Sequence, residues 1–372
     1  MRFAEFVGEW QDTTLGNVCV YRKTRRTAEK KNYISTENIL QNYQGVERFT
    51  SNESISGDGF NKNDILMGNI RPYLKKVYYA DFDGVCNADV LVFKSNFINP
   101  HFLYCRLAND TFINYVMKSV KGSKMPRGDK SHIMQYPLSI PGEAEQSKIS
   151  NFIELLTSRI QVQNKIISKY ETLIKGLYHE FFSKPADYAV KIKDLINKGK
   201  AGGTPSSTVA QYYNGDIPFL SISDMTKQGK YVSYTEKHIS KSGIENSSAW
   251  IVPSNSLIFS MYASVGLVCI NTVPLATSQA MFSMVLKDHR MIEYIYYYLN
   301  FFRETKIHRH IETGTQSNIN AETVRNIDIP FQSNHLKLVE TLNSIEKRLN
   351  NEKDMLSLLL DLKAYLLSKL FI

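Results

Sequence analysis

Residues 138–182 read LSIPGEAEQSKISNFIELLTSRIQVQNKIISKYETLIKGLYHEFF, and residues 327–371 repeat that plan 189 positions later as IDIPFQSNHLKLVETLNSIEKRLNNEKDMLSLLLDLKAYLLSKLF. Ile140 and Pro141 match Ile329 and Pro330, Arg159 matches Arg348, and Leu173, Leu177 and Phe182 match Leu362, Leu366 and Phe371. The chain therefore reads as two copies of one design, a globular unit of about 140–150 residues followed by a helix of about 40. A period this long excludes a solenoid and points to a duplicated pair of domains with two similar binding surfaces. The boundaries fall at residues 1–142 and 183–331 for the domains and at 143–182 and 332–372 for the helices. The expected class is α+β: two mixed α/β domains in pseudo-twofold repeat, separated by two long antiparallel coiled-coil helices.

Within the first helical copy, apolar residues fall at Ile149, Ile153, Leu156 and Ile160, then at Ile167, Tyr170, Ile174, Leu177 and Phe181. This heptad rhythm breaks only at Gln163. The second copy runs Leu338, Leu342, Ile345, Leu349, Leu356, Leu359, Leu366 and Leu370, with breaks at Glu352 and Lys363. Such a seam needs a facing helix, and the simplest partner is the other copy. A whole folded unit separates the two, which favours an antiparallel pair, a rod of roughly 60 Å at 1.5 Å per residue. Gln163 is then expected beside Glu352, a polar pair that fixes register. The simpler alternative is that each helix packs on its own domain.

With 372 residues the chain exceeds what one core normally serves, and 43% hydrophobic residues allow each half its own. The formal charge of +9 is compatible with an anionic partner, though ordinary proteins reach it too. Cys19, Cys86, Cys105 and Cys269 are scattered without a C-x-x-C pair or clustered His, so reduced, buried thiols and no structural metal or cofactor are expected. No run of 18 apolar residues occurs, and the expected setting is the cytoplasm, without a membrane partner.

The region before residue 138 reads as short strands, Val18–Tyr21, Asp64–Asn69 and Val90–Phe93, a turn-prone stretch at Ser51–Asn63 and one helical segment near Phe102–Met117. The second half echoes it. Tyr33–Ile39 corresponds to Phe219–Met225, Asp64-Ile-Leu-Met-Gly68 to Ser256-Leu-Ile-Phe-Ser260, and the segment after Ile98 to that after Ile292. One scaffold with divergent loops implies two different specificities.

Several motifs in their order on this duplicated frame resemble the specificity subunit of type I restriction–modification systems, over nearly the whole chain. They are Gly202-Gly-Thr-Pro-Ser206, Tyr212-Tyr-Asn-Gly-Asp-Ile-Pro-Phe-Leu-Ser-Ile-Ser-Asp-Met225, Thr277-Ser-Gln279 and Gly314-Thr-Gln316, together with both helices. The first half departs from the pattern: it lacks a Gly-Gly-Thr-Pro-Ser segment and has Gly122-Ser-Lys-Met-Pro126 where the second has Gly314-Thr-Gln316. The resemblance implies a non-catalytic subunit with two target-recognition domains, each reading one part of a bipartite, asymmetric site in double-stranded DNA. It also implies that the helices dock two methyltransferase subunits, with restriction subunits joining the full complex.

The residues themselves offer matching chemistry. Lys118, Lys121, Lys124, Arg127 and Lys130 recur every three or four positions around two glycines, opposed in sequence only by Asp129. Such a run meets phosphates, and a Lys or Arg reaching a guanine edge supplies readout. Arg25 and Arg26 belong to a second cluster with Arg22, Lys23, Lys30 and Lys31. In the second half the candidates are Gly203, Thr204 and Ser206, then Arg309, Thr315, Gln316 and Asn318, of which Gln316 and Asn318 suit adenine edges. The plainer readings are a solvated basic loop, a tight glycine turn and a polar turn ahead of a strand. Helix seam candidates are Ile153, Leu156, Ile160, Gln163 and Ile167 facing Leu342, Ile345, Leu349, Glu352 and Leu356.

Enzymatic readings fare worse. Asn99-Pro-His-Phe102 approaches the Asn-Pro-Pro-Phe tetrapeptide of adenine methyltransferases, but its third residue differs and no glycine-rich cofactor loop precedes it. It reads instead as a helix start, with Asn99 as cap and Pro100 in the first turn. No carboxylate cluster suits metal-assisted phosphodiester cleavage, and no triad or P-loop is present in the sequence. The rival of another class is an interaction scaffold: two protein-binding domains on a coiled-coil spacer, without sequence-specific DNA readout. If the helices act as a ruler, a heptad inserted at matched positions in both adds about 10 Å, roughly three base pairs at about 3.4 Å each. The recognised spacer should lengthen with both half-sites unchanged; a constant spacer in the methylated motif would rule the ruler out.

Overall fold

The computed structural model describes residues 2–262, 264–310 and 318–370. In the first half, the strands Cys19–Tyr21, Val90–Ser95, Ile65–Gly68 and Val77–Tyr79 form one antiparallel sheet in that order. Its central residues are apolar on every position, as in strands covered on both faces. Side chains alternate across a strand. Accordingly, Ile65, Met67, Leu91 and Phe93 join a core with the helices, while Leu66, Val90 and Val92 join Ile34, Ile39 and Phe60 on the other side.

The second half repeats the arrangement. Its strands Ile196–Ala201, Met281–Leu286, Ser256–Ser260 and Val268–Asn271 follow the same order, and Tyr231–Val232 adds a fifth, parallel to the last. Leu257 and Phe259 face one core while Ile258 faces another. A short parallel pairing marks each half at equivalent places: Tyr33–Ile34 with Val85 and Cys86, and Phe219 and Leu220 with Ala276–Thr277. Each half also has an antiparallel pair outside these sheets, Gln11–Thr14 with Pro137–Ile140 and Tyr188–Lys191 with Asp328–Phe331.

Two sequence expectations need correction. The stretch Ser51–Asn63 contains a seven-residue strand, Ser54–Phe60, between Arg25–Glu29 and Gly84–Cys86. Its glycines are there for close approach, since a Cβ on Gly57 would collide with the Cys86 carbonyl. The segment Phe102–Met117 is two helices, Pro100–Leu107 and Asp110–Met117, because Asn109 interrupts the first and caps the second, accepting from the Thr111 amide at 2.9 Å. Asn99 caps the earlier helix, accepting from the His101 and Phe102 amides at 2.9 and 3.1 Å, with Pro100 in the first turn.

The long helices span Glu143–Phe182 and His335–Lys369. The chain falls into two compact units, one of Met1–Ile166 with Glu352–Ile372, the other of Ile167–Asn351, so each helix contributes one half to each unit. In the first unit Ile149 and Ile153 share a core with Leu366, Leu367 and Leu370, and in the second Tyr178, Phe181 and Phe182 share one with Leu338 and Leu342. Within each unit the helix segments therefore run antiparallel. Ile153, Ile160, Gln163, Ile167, Leu342 and Leu349 are buried, and Leu156, Ile345, Glu352 and Leu356 are half-buried. The two polar breaks meet: Gln163 Nε2 donates to the Glu352 carbonyl at 3.0 Å and to its carboxylate. Lys363, the other break, lies near Cys105, and burial pushes its ammonium pKa down.

In the second unit the half-buried Lys230 ties a strand end to the helices. Its ammonium donates to Tyr297 Oη at 2.8 Å and Glu346 Oε2 at 2.6 Å, and lies 3.3 Å from Glu293 Oε1. Burial opposes ionisation of Glu293, but hydrogen bonds from Tyr231 and Asn343 and the charge of Lys230 outweigh it and hold the carboxyl below its usual range. That contribution is complete above about pH 4.3 and fades as acid protonates the group. Lys230→Met should destabilise this unit by roughly 2 kcal/mol, because it leaves the half-buried carboxylates of Glu293 and Glu346 without their shared cation. Lys30→Met, which breaks the exposed pair with Glu53, should cost about 0.5 kcal/mol or less. Urea unfolding of the two variants measures the contrast, and equal small shifts would refute it.

Candidate nucleic-acid interface

The basic run of the first half folds into a hairpin. Lys121 and Arg127 exchange both backbone hydrogen bonds at 2.9 Å, and Gly122 turns the chain at φ +91°. The stem is stitched to the chain just beyond the central strand Ile65–Gly68, where the Arg71 amide donates to the Pro126 carbonyl at 2.8 Å and Arg127 bridges Ile70. Lys124 and Met125 lie exposed at the tip. Asp129 closes the far side: it caps the helix Lys130–Met134 and accepts from Lys121 Nζ at 2.5 Å. The Lys121 ammonium, with the His132 and Ser131 amides, holds its carboxyl at about 2.

Asp129 is not the sole opposing acid. Arg127 donates through Nε and Nη2 to Asp89 Oδ1 at 3.2 and 3.0 Å. That carboxylate lies 38 positions away in sequence, just ahead of the strand Val90–Ser95, so no local reading reveals it. Lys124 and Lys130 form no ion pair among the described residues.

The second basic cluster divides by role. Arg22 is structural, donating to both oxygens of the buried Asp64 at 2.6 and 3.1 Å. Lys30 and Lys31 pair with Glu53 and Glu29, and Arg26 donates to Asn61 Oδ1 at 2.7 Å. Lys23 and Arg25, with the Asp64-bound Arg22 beside them, line a cleft of about 270 Å³ together with Tyr21, Asp58 and Lys130. The fold thus brings Arg25 and Lys130, more than a hundred positions apart, to one cleft, and Asp89 lies between two of its other lining residues, Ala88 and Val90. Sequence reading missed Tyr21, Asp58 and Asp89, because nothing but the fold makes them neighbours.

In the second half, Gly202 and Gly203 are buried, and a Cβ on Gly203 would collide with Ser248 Oγ and the Ala249 amide. Packing therefore accounts for these glycines without a ligand. Thr204, exposed, donates to Gln279 Oε1, and Ser206 is exposed beside Thr208. Arg309 is exposed at the end of the short turn Ile307–Arg309. Thr315 and Gln316 lie outside the described residues. Asn318 is described, and its place is informative. It bridges Tyr262, just beyond the central strand Ser256–Ser260, as Arg127 bridges Ile70 just beyond Ile65–Gly68. Arg127 and Asn318 thus hold the same position in the two copies.

Cys19, Cys86, Cys105 and Cys269 are buried and free, and burial pushes the first three thiols up to about 12, which suppresses the nucleophilic thiolate. Among the described residues no group of three or more His, Cys, Asp or Glu is arranged to hold a metal, and no helix is long and apolar enough to cross a membrane.

Comparison with known proteins agrees with the duplicated frame. The family described as type I restriction modification DNA specificity domain matches twice, over residues 8–172 and 185–356. The HindI specificity subunit of Haemophilus influenzae is 22% identical over 94% of this chain and 98% of its own length. The MjaIX specificity subunit of Methanocaldococcus jannaschii is 29% identical, over 45% of this chain and 40% of its own length. Two solved chains share the fold. One, from work on complex assembly and conformational transition of the type I R-M system, aligns with a TM-score of 0.61 at 18% identity over 98% of both chains. The other, the type I S subunit of M. genitalium, gives 0.59 at 13% over all of this chain and 98% of that one. With the domain matched once in each half, the chain belongs to the type I restriction modification DNA specificity family.

Proposed function

We propose that this chain is the DNA-reading, non-catalytic subunit of a cytoplasmic type I restriction–modification complex. Each globular part reads one part of a bipartite, asymmetric duplex sequence. The observation that carries this reading is the shared position of Arg127 and Asn318. One scaffold places a guanidinium in one copy and a carboxamide in the other, and these groups favour guanine and adenine edges respectively. Lys124 at the hairpin tip, and Lys23, Arg25 and Lys130 at the adjoining cleft, supply the phosphate contacts that position the duplex.

The long helices dock two methyltransferase subunits, and restriction subunits join through them. In support, Met355, Leu358, Leu362 and Tyr365 are all exposed and recur at three- and four-residue steps, as do Phe152 and Leu155 on the other helix. An apolar stripe left in water marks a protein contact.

Two measurements test the reading. Methylome sequencing of a host carrying this chain and an active methyltransferase partner should reveal a bipartite adenine motif that disappears when the chain is deleted. An unchanged methylome would favour a protein-binding scaffold. In binding titrations, four phosphate contacts predict a slope of roughly −3 to −4 in log affinity against log salt. Lys124→Gln should reduce that slope by about one for every duplex alike, whereas a scaffold predicts no such dependence.

A further inference from the structure

We propose that Arg127 is a guanine-reading residue of the first half, and that Asp89 is the positioning residue that presents its guanidinium. The inference rests on the DNA-reading function above and adds a named determinant to it.

The first support is how firmly both partners are held. The Arg127 backbone is fixed on two sides, by Lys121 across the hairpin and by Ile70 just beyond the central strand. Asp89 is anchored independently, its carbonyl accepting from the Asn69 amide at 2.8 Å. The side chain of Arg127 is 52% exposed, so its free edge reaches solvent. Nε and Nη2 both point at Asp89 Oδ1, which leaves one N–H on Nη2 and both on Nη1. Those are the donors that meet guanine N7 and O6 in the bidentate contact. A guanidinium already oriented by a carboxylate loses less freedom on binding than one on an unrestrained stem. Its charge is also partly compensated, so it adds little to indiscriminate phosphate attraction.

The second support is the internal repeat. In the second half the Met261 amide donates to the Ala280 carbonyl at 2.8 Å, the same bond that Asn69 makes with Asp89. Ala280 therefore holds the place of Asp89, as Asn318 holds that of Arg127. Where the arginine is present, so is the acid that orients it. Where the position carries an amide, which needs no counter-charge, the acid is absent.

The test is selection of a pool of random 40-base-pair duplexes by the full chain, followed by sequencing of the bound fraction. The unaltered chain should enrich a bipartite motif. Arg127→Ala and Arg127→Lys should both enrich the same motif with a single guanine position degenerate, the preference there falling roughly ten- to a hundredfold. Lysine keeps the charge but not the fork. Asp89→Asn should blur that same position and no other, and Asp89→Glu should restore part of the preference. The proposal is overturned if the Arg127 variants select the original motif unchanged. It is also overturned if they lose every position together while circular dichroism reports an intact fold, which would make Arg127 a general affinity contact and not the reader of one base. Absence of any motif with the unaltered chain would instead remove the DNA-reading function itself, and this inference with it.

Discussion

A strand buried on both faces has no side to give to water, and each half of this protein is organised around one. Ile65–Gly68 and Ser256–Ser260 send alternate side chains into two different cores. One core must be closed by helices and the other by a second layer of strands, which is why each half contains both. The chain beyond each central strand is then the first backbone free of that double burial. Arg127 and Asn318 bridge the chain at those two exits, so the candidate reading positions hang from the ends of the doubly buried strands.

Net charge was a weak guide to where an anion would sit, and the reason is local. Of the six cations between Arg22 and Lys31, Arg22 is committed to the buried Asp64 and two others to surface carboxylates. Removing Arg22 would be felt as a folding defect, because Asp64 would remain buried without its counter-charge. The cations that remain available are fewer than composition implies, and they come from segments far apart in the chain.

The helices were legible because their signal is periodic: a heptad rhythm survives single interruptions, and the interruptions at Gln163 and Glu352 could be matched by counting. The helix start at Asn99 was legible because a cap is a local event. The strand Ser54–Phe60 was not, since Gly57 answers to the Cys86 carbonyl and Gly59 to the Arg26 side chain, both on other strands, rather than to any turn of their own. Asp89 was illegible for the same reason, its partner lying 38 positions on. The packing role of Gly202 and Gly203 likewise depends on Thr277 and Ser248, which composition and spacing do not connect. What sequence conveyed was rhythm and local stereochemistry; what it withheld was every close approach set by a distant neighbour.

The split of the helices between two units also orders events in time. The second unit is continuous, residues Ile167–Asn351, whereas the first needs Glu352–Ile372 to complete it. At synthesis rates of roughly 5–20 residues per second, the intervening stretch occupies the ribosome for about ten to forty seconds. Throughout that interval Ile149, Ile153 and the neighbouring core residues wait without Leu366, Leu367 and Leu370. The half that is made first is thus finished last, and the nascent chain's exposure to misassociation is concentrated there.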